Sequence, residues 1–184
     1  MVRNRIFVAE GKRNYMYIIA NPAAGKGRGI KAAAAAAAYL TQENIPHTIV
    51  ETTFPGEATL LAREAAQSGE KIVVACGGDG TMREVGVGVL GTGAALAILP
   101  GGTGNDYARG LGMDSDPVKA VKQILQKNIR KVDVGYANGT PFFNICAAGL
   151  DMDLFEASLP IKKYISGIMA YVLALFAILP KYRP

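Results

Sequence analysis

The chain has no tryptophan, a single histidine and only two cysteines. Cys76 and Cys146 stand far apart, with no Cys-x-x-Cys pair and no histidine cluster beside them, so the spacing of a zinc site is missing. Each cysteine lies in an apolar, strand-like run, and both are expected to be buried thiols in a reducing compartment. The first residues, 1–14, are basic but lack the apolar core of a signal peptide, and they are expected to form an N-terminal extension ahead of the fold. Two common nucleotide-binding signatures are also missing. No Gly-x-x-x-x-Gly-Lys-Ser/Thr loop is present, and no Gly-x-Gly-x-x-Gly opening is followed by an acidic residue about twenty positions on.

What remains is a globular composition. Half of the 184 residues are hydrophobic and 19% are charged, too apolar for disorder and suited to a buried sheet with helices around it. The formal charge of +5 favours anionic partners, without separating nucleotide phosphates, nucleic acid and acidic lipid.

Residues 15–20 are apolar on both faces, as a strand covered on both sides would be. Seven consecutive alanines, 32–38, then predict a closely packed helix over residues 30–40. Strand-like segments at 47–52, 71–76 and 94–99 alternate with helical ones at 58–67 and 82–90, the order of a parallel α/β sheet. A helix over 117–126 leads to two alternating segments, 131–136 and 141–147, and Asn138-Gly139 between them signals a hairpin. That change of sheet type places the start of a second, antiparallel β-rich domain at residue 129, after a nucleotide-binding α/β domain over 15–128. The uncharged segment 164–179, bracketed by Lys162-Lys163 and Lys181, falls short of a full span and is expected to be a buried or membrane-facing amphipathic helix.

Glycines gather in the loops after strands, where ligands of open α/β sheets bind. Gly77-Gly78-Asp79-Gly80-Thr81 lies between a strand and a helix, an arrangement suited to holding a phosphate on free amides at a helix start. Asp79 would repel that phosphate unless it serves a ribose hydroxyl, a hydrated Mg²⁺ or a proton in transfer; the alternative is an N-cap on its own helix. Pro100-Gly101-Gly102-Thr103-Gly104-Asn105-Asp106 repeats the pattern, with a tight turn capped by Asn-Asp as its plainer explanation. Asn21-Pro22-Ala23-Ala24-Gly25-Lys26-Gly27-Arg28-Gly29 adds small residues and two cations after the first strand.

Together, these three motifs resemble the catalytic domain of the diacylglycerol kinase and sphingosine kinase family, within the superfamily that includes NAD kinases and phosphofructokinases. Phe143-Asn144 with Gly149, and Gly167 with Ala170-Tyr171, resemble the opening of that family's second domain. The resemblance implies a parallel sheet flanked by helices and transfer of the ATP γ-phosphate to a lipid hydroxyl such as that of diacylglycerol, with Mg²⁺ spreading the developing charge. By matching position, Asn21, Pro22, Ala23, Ala24, Gly25, Thr52, Gly78, Asp79, Gly80, Thr81, Met82, Arg83, Glu84 and Thr103 would line the ATP site. Asp79 is the catalytic candidate, and with Glu84 it would support nucleotide or metal. No direct metal ligand is assigned, because the family's Mg²⁺ ligands and its proton-accepting carboxylate lie in a later β-sandwich. Arg83 departs from the usual asparagine. The implied setting is cytoplasmic, peripheral to a membrane surface, with self-association through the apolar segment 164–179 and no nucleic acid partner. The alternatives are a non-catalytic nucleotide-binding module acting with a partner, an NAD kinase, and a membrane-docking protein.

Overall fold

The computed structural model describes residues 15–181 apart from 148, 163, 166 and 167, so the extension expected over residues 1–14 lies outside the described residues. Strands β1 (Met16–Ala20), β2 (His47–Glu51), β3 (Ile72–Gly77) and β4 (Ala95–Pro100) form one parallel sheet in the order β2-β1-β3-β4. The register is continuous, with Ile18 facing Ile49 in β2 and Val74 in β3. Ile18, Ile19 and Ala20 are completely buried because helices cover both faces, which is why β1 reads as an unbroken apolar run rather than an alternating one.

Helix α1 (Arg28–Gln42) connects β1 to β2 across one face, where it packs with α5 (Pro117–Leu125). Helices α2 (Glu57–Gln67) and α3 (Asp79–Val89) cover the other, joined by the short α4 (Asp106–Gly110). The alanine run has a specific job. Ala32, Ala33, Ala36 and Leu40 form the buried stripe of α1, and their small side chains let the helix axis sit close to the sheet. Glycine does the same between α2 and α3: a Cβ at Gly88 would stand 2.6 Å from Ala62 Cβ and 2.6 Å from the Thr59 carbonyl oxygen.

Several expectations are corrected. Helix α3 begins at Asp79, three residues before the predicted start at residue 82, so the end of the glycine loop is already helical. The hairpin is shorter than predicted: β5 (Gly135–Ala137) and β6 (Thr140–Phe142) pair around Asn138-Gly139, and residues 131–134 carry no strand. The chain divides into two compact units after Asn144, and this hairpin lies in the first. Phe143 explains this, because its ring occupies the space a Cβ on Gly86 would need, 2.8 Å away. Cys76 is buried and donates to the Gly29 carbonyl at 3.2 Å, and desolvation pushes its thiol up to about 12. Cys146, expected to be buried, is exposed.

The second unit contains α6 (Leu150–Ile161), which the sequence did not announce, and α7 (Ile168–Ile178). Ser158, Ala170 and Ala174 are fully buried, and Lys162 Nζ donates to Tyr171 Oη at 2.6 Å. Helix α7 carries no charged side chain and exposes Met169, Leu173 and Phe176, so it is apolar around its circumference rather than amphipathic. Among the described residues no helix is long and apolar enough to cross a membrane.

The packing of α1 gives a direct test. Ala36→Leu must force extra volume against the sheet and is expected to destabilise by about 1–3 kcal/mol. Ala34→Leu, on the exposed side of the same helix, should stay within about 0.5 kcal/mol of the parent. Urea unfolding of the two variants separates a close-packed alanine face from a merely helix-forming one.

Candidate functional site

Helices α1 and α3 leave the neighbouring strands β1 and β3 on opposite faces of the sheet, so the loops after β1 and β3 diverge at their carboxyl ends. This is the switch point at which open α/β sheets form a ligand crevice. All three glycine loops meet there.

The loop after β1 is fixed at its first residue. Asn21 donates its backbone amide to Cys76 O in β3 at 3.0 Å, and its side-chain oxygen accepts from Ala23 N at 2.9 Å. Its side-chain nitrogen reaches Thr81 Oγ1 at 3.1 Å, and Thr81 is buried in the first turn of α3. Pro22, Ala23 and Ala24 then lead into a tight 3₁₀ turn in which Gly25, Lys26 and Gly27 all have positive φ. For Lys26, at φ +58°, that conformation costs on the order of 1–2 kcal/mol and holds an exposed cation at the loop tip.

The other two loops close on the first. Gly101 and Gly102 donate their amides to Gly77 O at 2.8 and 3.1 Å. A Cβ on Gly102 would lie 2.3 Å from Gly78 Cα, one on Gly101 2.6 Å from Gly29 Cα, and one on Gly25 2.4 Å from Gly101 O. These glycines are there because backbone meets backbone. Gly80 differs: it sits exposed in the first turn of α3, and a Cβ on it would meet nothing within 4 Å. The N-cap of α3 is Gly78, so no side chain caps the first-turn amides.

Asp79 does not cap its own helix. Its Oδ1 accepts from the backbone amide of Tyr107, 3.0 Å away at the start of α4, and its Oδ2 lies with Asp106 Oδ2 around Gly104. The plainer explanation offered for the Pro100 loop is realised in part, since Asn105, in the left-handed region, accepts from Gly102 N at 2.9 Å and donates to Gly102 O at 3.1 Å. Thr103 lies at the exposed tip of that loop and is held by Arg28 Nη2 at 3.0 Å, while Arg28 Nε donates to Gly25 O at 3.1 Å. Arg28 thus ties the first loop to the third, and Asp106 completes an acidic edge with Arg109 beside it. These two residues were missing from the predicted set. Arg28 was visible as a loop cation, but its partner 75 positions away was not.

The remaining predicted residues fall in different places. Thr52 follows β2 at the same end of the sheet, half-buried, its amide bound to Ala20 O at 2.9 Å. The neighbouring Thr53 is exposed; its backbone amide, and then its hydroxyl at 2.9 Å, donate to the Glu57 carboxylate and lower the pKa of Glu57. Met82 turns into the core beside Val85, so only its backbone faces the crevice region. Arg83 is exposed and forms no hydrogen bond or ion pair with another described residue. Glu84 is half-buried, and its carbonyl accepts from Thr59 Oγ1 at 3.0 Å, joining α3 to α2.

Known proteins share sequence and fold with this chain. The diacylglycerol kinase catalytic domain profile matches residues 15–137. The chain is 36% identical over 171 residues to a diacylglycerol kinase of Bacillus subtilis, covering 91% of this chain and 56% of that protein. It is also 36% identical over 127 residues to a Chromohalobacter salexigens protein named as a probable YegS-like lipid kinase, covering 66% of this chain and 41% of that one. A solved diacylglycerol kinase structure from Bacillus anthracis superposes with a TM-score of 0.57 at 34% identity, covering 72% of this chain and 50% of the other. The chain spans about half the length of the relatives it matches. By sequence, fold and the loops that meet at the switch point, it belongs to the diacylglycerol kinase catalytic domain family.

Proposed function

We propose that the crevice holds ATP and that this chain is the nucleotide-binding part of a lipid kinase, directing the γ-phosphate to the hydroxyl of a lipid alcohol such as diacylglycerol. One observation carries the reading: α3 begins uncapped at the meeting point of three loops, with open space over Gly80, the one loop-two glycine that no protein atom crowds. Unsatisfied amides and the positive end of the helix favour an anion there.

The residues present fit the group. Asn21, Pro22, Ala23, Ala24 and Gly25 form one wall, Gly78 to Thr81 the floor, and Thr103 with Arg28 the other wall, while Thr52 closes the β2 side. Arg83 has no hydrogen-bond or ion-pair partner among the described residues and is available to a phosphate. Among the described residues no cluster of three metal-ligating side chains exists. Mg²⁺ is usually held by one or two carboxylates together with substrate phosphates. Asp79 is the candidate ligand, steadied by the Tyr107 amide, with Glu84 and Asp106 in support. When bound, Mg²⁺ would spread the charge that develops on the phosphoryl oxygens. In the transfer, a bond forms from the lipid oxygen to the γ-phosphorus. The bond from that phosphorus to the β–γ bridging oxygen breaks, ADP departs and the hydroxyl proton passes to a base. The part of this chain is to align ATP and exclude water from the phosphates.

A lipid acceptor also implies work at a membrane surface as a peripheral partner. The exposed apolar side chains of α7 support docking there or against a second copy.

Calorimetric titration with Mg²⁺ and ATP should show binding that Asp79→Ala weakens by roughly tenfold or more, about 1.4 kcal/mol. Phosphoryl transfer to diacylglycerol in mixed micelles then distinguishes a working kinase from a binding half. ATP binding without transfer identifies this stretch as the nucleotide-holding part alone, and absence of ATP binding overturns the reading.

Glycine substitutions test the same site from the side of stability. Gly102→Ala is expected to destabilise by more than about 1 kcal/mol because its Cβ meets backbone. Gly80→Ala should hold or raise stability, by up to about 1 kcal/mol, because the helix gains an alanine. If Gly80 faces phosphate, that same stable variant loses ATP affinity in the titration. Unchanged affinity would place the nucleotide elsewhere.

A further inference from the structure

Strand β4 ends the sheet, and along its outer side runs a slot of about 650 Å³. Its shape follows from the layers. Residues Gly93 to Ile98 line it consecutively, α3 contributes Val89 from one face of the sheet, and α5 contributes Ile124 from the other. Helices therefore border the next strand position on both faces, and the segment from Lys127 to Val132, with Val134, lines the rest of the slot.

Backbone polarity decides what fits. In a parallel strand, successive residues turn their amide and carbonyl to opposite sides. Ala95 N donates to Lys71 O and Gly101 N to Gly77 O, so the odd-numbered residues of β4 serve β3. Leu96 and Ile98 consequently direct their N–H and C=O groups into the slot. An acyl chain or another purely apolar ligand would leave those groups dry and unpaired, at a cost of about 1–3 kcal/mol each. An extended polypeptide would pair them and present side chains to both helical walls.

Charge narrows the occupant further. The slot is lined by Lys71, Lys127, Arg130 and Lys131 and by no Asp or Glu. A second copy offering its own β4 would set these cations against their counterparts. We propose that the β4 edge is a strand-addition site for an extended, apolar polypeptide segment flanked by acidic residues, which extends the sheet by one strand. The site is separate from the ATP crevice and does not depend on that assignment.

The test uses a fluorescein-labelled peptide with a Val/Ile core and aspartates at both ends. Its controls are a lysine-flanked counterpart and a version methylated on alternate backbone nitrogens. Fluorescence anisotropy should show the acidic peptide binding at least about tenfold more tightly than either control, about 1.4 kcal/mol. Hydrogen exchange at the Leu96 and Ile98 amides should slow in the complex while exchange at Ala95 and Ala97 is unchanged. The exposed triple variant Lys127→Glu, Arg130→Glu and Lys131→Glu should reverse the preference between the acidic and basic peptides. Equal binding of the methylated peptide would show that the slot takes apolar ligands without ladder hydrogen bonds, and would overturn the proposal. So would a failure of the acidic peptide to bind, or protection of Leu96 and Ile98 that rises with the concentration of this chain alone.

Discussion

The three loops approach one another through bare backbone. Gly78 and Gly102 stand so close that a Cβ on the second would fall 2.3 Å from the Cα of the first, and Gly101 meets Gly29 nearly as tightly. Everything distinctive about the crevice depends on this contact. It lets Gly77 O take amides from Gly101 and Gly102, it brings Asp79 within reach of the Tyr107 amide, and it sets Thr103 where Arg28 can hold it. A single methyl group at these positions would push the loops apart.

Much of the fold was legible because its signals are local and strong. Continuous apolar runs marked strands covered on both faces, and the strand–helix alternation gave the parallel sheet. Its order could not be read, since β2-β1-β3-β4 depends on which face each helix crosses. The site was legible as three glycine loops, but the reason for the glycines was read too simply. Sequence suggests room for a ligand, whereas most of them make room for one another, and Gly80 alone in the second loop has open space. Met82 belongs to the same motif, and its side chain is buried in the core. The pairings Asn21–Thr81 and Arg28–Thr103 were invisible because they link residues 60 and 75 positions apart. The shortened hairpin, the unannounced α6 and the exposed Cys146 all fall beyond the parallel sheet, where short apolar segments do not distinguish strand from helix.

Family membership and the length of the match bear on each other. The region matched contains the loops that would hold a nucleotide, while the relatives run to about twice this span. The uncapped helix start, the acidic edge of Asp79 and Asp106, and the strained Lys26 are properties of this stretch itself. Under the proposed function they would serve as free donors to phosphate, a carboxylate for a hydrated cation and a positive charge at the rim.

The claim on which the functional account rests is that phosphate meets the backbone at the first turn of α3. Amide chemical shifts in ¹⁵N-labelled protein, followed through a titration with ATP and Mg²⁺, test it residue by residue. The account requires the largest changes at Asp79, Gly80 and Thr81, with smaller ones at Gly101 to Thr103 and near Asn21. Changes centred elsewhere, or none at saturating ATP, would contradict it.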